Sequence, residues 1–160
     1  MTVRVTERND VEQIRSLVIA TDVFSKDEID IAVELLEIFI NDPHQQDYEM
    51  FSCVEDEGRV LGYICIGPTP ATTATYDLYW IAVTPDVHGK GIGSQLLKFV
   101  ESHLRQKNGT LLIAETSSTA KYDNTRMFYE RRGFQKLAHI KEYYKPDDDL
   151  IIYGKYLSTI

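Results

Sequence analysis

The residues best placed to do chemistry in this sequence are a set of glycines. His88-Gly89-Lys90-Gly91-Ile92-Gly93 follows the apolar run Trp80-Ile81-Ala82-Val83 and precedes Gln95-Leu96-Leu97-Lys98-Phe99-Val100, a pattern that reads as strand, turn, helix. Glycine at alternate positions lets the main chain curl with no Cβ atoms in the way. The N–H groups of the turn, with that of Ser94 just beyond, then lie at a helix N-terminus. Orphan donors and the positive end of the helix dipole attract anions there. The chemistry expected is the holding of a phosphate. The competing reading is a helix-opening turn that uses glycine for geometry alone.

Spacing narrows the choice of ligand. A dinucleotide fingerprint needs G-x-G-x-x-G in a first βα turn, but Ser94 stands where the third glycine belongs and the turn lies past mid-chain. No Gly-x4-Gly-Lys-Ser/Thr run exists for a P-loop, and Gly91-Ile92-Gly93-Ser94 is not a nucleophile elbow. His44, His88, His103 and His139 fall on separate elements without metal-ligand spacing, so no metal is expected. Cys53 and Cys65 form no C-x-x-C pair and read as buried thiols of a reducing cytoplasm.

The elements that must position this turn can be read from periodicity. At 160 residues the length prior is one domain, 1–160. No stretch approaches a membrane span, and the N-terminus lacks the apolar block of a signal peptide. The net charge of −8, from 17 basic and 25 acidic residues, argues against nucleic-acid binding and suits solubility or a cationic partner. Strands are expected at Val3–Thr6, Tyr48–Glu55, Val60–Pro68, Tyr76–Val83, Thr110–Thr116, Phe134–Tyr144 and Leu150–Leu157. Helices are expected at Asp10–Ala20, from the Ser25 capping box (Glu28 three places on) to Asp42-Pro43, at Gly91–Gln106 and at Tyr122–Arg132. Pro146-Asp147-Asp148-Asp149 joins the last two strands. The strand–helix–strand unit over 76–116 predicts a parallel, right-handed crossover between antiparallel hairpins. The fold class is therefore α/β, a mixed sheet with helices on both faces.

Three segments, in order, resemble the GNAT superfamily of acetyl-CoA-dependent N-acetyltransferases. Ile81-Ala82-Val83-Thr84-Pro85 with His88-Gly89-Lys90-Gly91-Ile92-Gly93 and Leu96-Leu97 is similar to the family's strand followed by R/Q-x-x-G-x-G/A. Leu111-Leu112-Ile113-Ala114-Glu115-Thr116 matches its next buried strand, and Phe128-Tyr129-Glu130-Arg131-Arg132-Gly133-Phe134 its F-Y-E-x-x-G-F. The order of elements is also the family's, so the resemblance covers essentially the whole chain. Two positions depart from it. His88 stands where Arg or Gln is usual, and Tyr122 where the family has Asn, with Asn124 close by.

The resemblance implies a sheet splayed between the fourth and fifth strands and acetyl-CoA as co-substrate. Backbone N–H groups of residues 88 to 93 would hold its pyrophosphate. Those of Ala82 and Val83, in the stretch begun by Ile81, would bond the pantetheine arm or the acetyl oxygen. Tyr122 or Asn124 would meet the pantetheine. Acetyl transfer to an amine needs a neutral amine, a stabilised oxyanion and a protonated leaving thiolate. Tyr129 is the candidate acid, its phenol being similar in basicity to a thiolate. Asp77 and Glu115 are the candidate bases, with a relay through water as an alternative. Strict alternation would put Asp77, Tyr79, Ile81 and Val83 on one face. Tyr143, Tyr144 and Asp147-Asp148-Asp149, with Asp22 and Phe24, are candidates to line the acceptor pocket, and aromatics with carboxylates suit a cation. The expected activity is acetyl transfer to a primary amine, on a small molecule or a peptide. The alternative is a non-catalytic acyl-CoA sensor of the same fold. A homodimer would be compatible with either.

Overall fold

The computed structural model describes residues 1–158. Its elements are β1 (Thr2–Val5), α1 (Val11–Ala20), α2 (Lys26–Asn41), β2 (Glu49–Val54), β3 (Val60–Pro68), β4 (Thr75–Val83), α3 (Ile92–Gln106), β5 (Leu111–Ser117), α4 (Asp123–Arg131), β6 (Gln135–Lys145) and β7 (Asp148–Tyr156). The seven strands form one sheet in the order β1-β2-β3-β4-β5-β7-β6. Only β4 and β5 run parallel, joined through α3, and the other pairs are antiparallel.

Two apolar layers clamp the sheet. On one face α1 and α2 bury Ile14, Leu17, Val18 and Leu36 against Met50, Tyr63 and Cys65. On the other, α3 and α4 bury Leu96, Leu97, Val100, Leu104 and Tyr129 against Ile64, Ile66, Leu78 and Leu112. The α2 start is the expected capping box: Ser25 Oγ accepts from the Glu28 N–H and Glu28 Oε2 from the Ser25 N–H.

The parallel pairing is short. It runs from Thr75↔Leu111 to Leu78↔Ala114 and then stops, so β4 beyond Leu78 and β5 beyond Ala114 diverge. This is the expected splay. The strict alternation expected along β4 is overturned. Leu78 pairs with Ile66 but Trp80 with Cys65, which leaves Tyr79 as an extra residue in a β-bulge. The bulge inverts the pleat. Ile81 and Val83 join Leu78 in the α3–α4 layer, while Trp80 and Ala82 join the α1–α2 layer. Asp77 therefore does not share a face with Ile81 and Val83.

The last hairpin also differs from expectation. Its turn is Pro146-Asp147, and Asp148 is already in β7, held there because its Oδ1 accepts from the Ser117 hydroxyl at 2.5 Å.

Candidate active site

The divergence of β4 from β5 opens a cleft of about 970 Å³, roofed by the start of α2 and by the β5–α4 loop. Asp77, Leu78, Tyr79, Trp80 and Ile81 come to it from β4, Ile113, Glu115 and Ser117 from β5, and Tyr129 from α4. The three residues expected to carry proton transfer thus face one cavity.

Tyr129 is only 4% exposed and its ring is packed among Phe128, Phe134 and Tyr153, at centroid distances of 5.7, 5.1 and 5.9 Å. Its hydroxyl has no hydrogen-bond partner among the described residues, although Tyr129 lines the cleft. Burial pushes its pKa up, so the phenol keeps its proton at neutral pH and can only be a donor to a basic atom. The end of α4 fixes it: the Phe134 N–H donates to the Tyr129 carbonyl at 3.0 Å around Gly133, whose φ of +87° suits only glycine.

Asp77 accepts from the Thr69 hydroxyl at 2.9 Å and, at 3.5 Å, from that of Tyr79. Glu115 lies two residues beyond the partner of Asp77 and has no hydrogen-bond partner among the described residues. Partial desolvation by the cleft walls raises the Glu115 pKa and the nearby Asp77 charge raises it further, which makes it a stronger base than an ordinary glutamate.

The glycine turn sits at the mouth of the same gap. Gly89 and Gly91 adopt φ of +79° and +83°, and Gly91 caps α3. Gly93 serves close approach instead, since a Cβ there would stand 3.1 Å from the Phe128 ring. Of the N–H groups at 88 to 93, two are turned inward: His88 donates to the Pro85 carbonyl and Lys90 to that of Val87, both at 3.2 Å. The expectation that all six hold an anion is corrected to that extent. The N–H groups of Gly89, Gly91, Ile92 and Gly93, with that of Ser94, have no acceptor among the described residues. They form a fork at the positive end of α3.

The β4 backbone needs a second correction. The Thr84 N–H donates to the Leu61 carbonyl at 2.9 Å, and antiparallel ladders alternate, so Ala82 and Trp80 also bond toward β3. Ala82 therefore cannot offer its N–H to a ligand. Ile81 and Val83 point theirs into the gap. The outward Val83 carbonyl is met by His88, whose Nε2 lies 2.8 Å away and must carry the proton, because a carbonyl only accepts. The His88 side chain thus braces the strand end to the turn.

From the start of α4, Tyr122 reaches the cleft and donates to Glu28 Oε1 at 3.1 Å, whereas Asn124 is exposed and does not line it. The physical reason is helix phase: Thr125 takes the inward position. Phe24 packs edge-on to Trp80 at 4.9 Å and lines the cleft, and Asp22 does not. In the last hairpin Tyr144 and Asp148 face the cavity, Tyr143 is exposed, and Asp149 is held by His139 at 2.6 Å. Glu28 was legible only as a capping residue, and its second carboxylate oxygen is a site feature the sequence did not announce. Among the described residues no three His, Cys, Asp or Glu side chains could hold a metal ion, and no helix is long and apolar enough to cross a membrane.

Residues 47–136 match the GNAT acetyltransferase domain model. The chain belongs to the GNAT family. That makes it, by family, an acyltransferase. A Desulfovibrio desulfuricans protein assigned to the GNAT family has the same fold at TM-score 0.91 and 41% identity, over 98% of this chain and 99% of that one. An aminoglycoside 6'-N-acetyltransferase crystallised with coenzyme A aligns at TM-score 0.76 over 99% and 98% of the two chains, at 16% identity, a likeness of fold alone. The S-(2-succino)cysteine N-acetyltransferase of Bacillus subtilis is 27% identical over 85 residues, 51% of this chain. The chain spans about half the length of that relative, 52% of it.

Proposed function

We propose that this GNAT protein transfers the acetyl group of acetyl-CoA to a primary amine by direct attack within a ternary complex. The observation that carries the reading is the side chain of Tyr129, buried but with its hydroxyl unpartnered, lining the cleft where β4 and β5 part. Acetyl-CoA supplies the reactive thioester. The fork of N–H groups from Gly89 to Ser94 fits its diphosphate, and the open strand gap leads from that fork to Tyr129.

Each residue then has a defined task. Glu115 accepts the proton that the attacking ammonium must lose, directly or through a water, while Asp77 keeps its carboxylate basic. The Ile81 and Val83 N–H groups are free to hold the arm and the oxygen on which negative charge grows. Tyr129 gives its proton to the departing sulfur as the carbon–sulfur bond breaks, and the nitrogen of the tetrahedral adduct loses its second proton to restore the phenol, leaving a neutral amide and a free thiol.

Release of free thiol from acetyl-CoA over a panel of amines tests this directly. Tyr129→Phe is expected to lower kcat by about tenfold or more while leaving coenzyme affinity unchanged. Saturable acetyl-CoA binding with no transfer to any amine would replace the enzyme by an acyl-CoA-binding module.

A further inference from the structure

Five carboxylates reach the cleft, those of Asp27, Glu28, Asp77, Glu115 and Asp148, against two lysines, Lys121 and Lys145. Among the described residues, no lysine, arginine or histidine nitrogen lies within 4.0 Å of any of the five. Asp27 and Glu115 are exposed, but Glu28 and Asp77 are half-buried and Asp148 is buried, and elsewhere the molecule pairs its shielded carboxylates with cations. Asp10 is paired with Arg4, Glu101 with Lys155 and Arg105, and Glu49 with Lys107 and His103. Desolvated charge is costly without a countercharge. In the cleft the bonds come from neutral groups, the Ser117, Tyr122 and Thr69 hydroxyls to Asp148, Glu28 and Asp77 and the Ser25 N–H to Glu28. Hydroxyls orient a carboxylate and leave its charge uncancelled.

These charges converge. Tyr144, 47% exposed, lines the cleft together with Glu28, Glu115 and Asp148, and its phenol is pushed up to about 12 by partial desolvation and then by Glu115, Tyr143, Asp148 and Glu28. Faces of Phe24, Trp80 and Tyr144 complete a lining suited to ammonium groups. A second feature, independent of the acidic cluster, points to a ligand: the Tyr129 side chain, 96% buried by its 4% exposure, turns an unpartnered hydroxyl to the same cavity.

We infer that the acceptor is a small diamine or polyamine, with one amine at the Glu115–Tyr129 end and a second, still protonated, among Glu28, Tyr144 and Asp148. This rests on the transferase reading and names its substrate class. An α-amino acid fits poorly, because its carboxylate would enter a cleft lined by no arginine and already carrying excess negative charge.

A matched trio tests the inference: 1,5-diaminopentane, pentylamine and lysine, which differ only by one ammonium or one carboxylate. Their binding is measured by calorimetry with coenzyme A present, and their acetylation by thiol release. The diamine is expected to bind at least about tenfold more tightly than either of the others, an advantage that added salt erodes. Glu28→Gln and Asp148→Asn should each remove most of that advantage while changing pentylamine binding little. Should Asp148→Asn fail to fold, Glu28→Gln and the salt titration still decide. Equal affinity for pentylamine, preference for lysine, or no binding of any of the three overturns the assignment. Tight diamine binding without acetylation would refute the transferase and leave the cation site standing.

Discussion

Tyr129 separates a structural role from a chemical one. Its ring is packed in the core, while its unpartnered hydroxyl belongs to a residue that lines the cleft. Removing an unpartnered hydroxyl from a packed ring costs nothing in hydrogen bonding. Tyr129→Phe should therefore melt at or above the wild-type temperature while losing turnover, and a calorimetric scan beside the kinetics checks both. Tyr63 gives the contrast. Its hydroxyl is buried without a partner and its side chain lies in the α1–α2 layer, away from the cleft. Tyr63→Phe should leave turnover unchanged.

The two carboxylates make opposite predictions with pH. Glu115 titrates above an ordinary glutamate because the cleft partly desolvates it and because Asp77 is charged nearby. Its base form is lost as pH falls through that raised value, so the acidic limb of kcat/KM should lie above the usual carboxylate range. Asp77→Asn removes a negative neighbour, lowers the Glu115 pKa and should move the limb to lower pH with activity retained. If Asp77 were the base, the same change would abolish turnover. At this scale the sequence was informative about which residues meet at the cleft, Asp77, Glu115 and Tyr129 among them. It was silent on Glu28, because a capping box already explains a glutamate three places after a serine.

The elements around the site were read with different success, for identifiable reasons. Helix periods and caps are local, so α1, α2 and α3 stand within a residue or two of their expected ends. The bulge at Tyr79 is not local. It exists because β3 and β4 must pair on one side while β4 leaves β5 on the other, and no residue type in Thr75–Val83 signals it. With the pleat inverted, the N–H that faces the gap moves from Ala82 to Ile81. The turn ahead of α3 was legible because φ near +80° demands glycine. Nothing lies within 4 Å of a Cβ placed on Gly89 or Gly91, so alanine there strains the backbone alone. Each substitution should cost about 1–2 kcal/mol in urea unfolding. Coenzyme affinity should fall about tenfold as the donor fork loses its shape, which titration of coenzyme A would measure.

Across the whole molecule, ion pairs fasten the periphery to the sheet. Burial would raise the Asp10 pKa, but hydrogen bonds from Arg4 and the Glu7 N–H outweigh it and the carboxyl titrates below its ordinary value. Glu49 behaves alike: burial is outweighed by Lys107 and His103. A carboxyl depressed in the folded state contributes stability above its unfolded pKa and loses it as pH falls through the folded one. Thermal stability should hold down to about pH 5 and drop below about pH 4. Asp10→Asn should cost about 2–3 kcal/mol at neutral pH, and its gap from wild type should narrow at pH 3, as melting curves at both pH values would show. None of these pairings was legible in the sequence, since each joins residues on different elements brought together only by the fold.

The position of β7 has a consequence for how the chain is assembled. This strand comes after β6 along the polypeptide yet lies between β5 and β6 in the sheet. As the ribosome extends the protein, β6 has no neighbour to zip onto until Asp148–Tyr156 emerges. Ser117 likewise waits for Asp148, and one wall of the cleft with it. The nascent sheet has little reason to be stable before β7 has been made. Loop closure over such a long separation is slow. A stop anywhere between Asp148 and Tyr156 would cut into an interior strand.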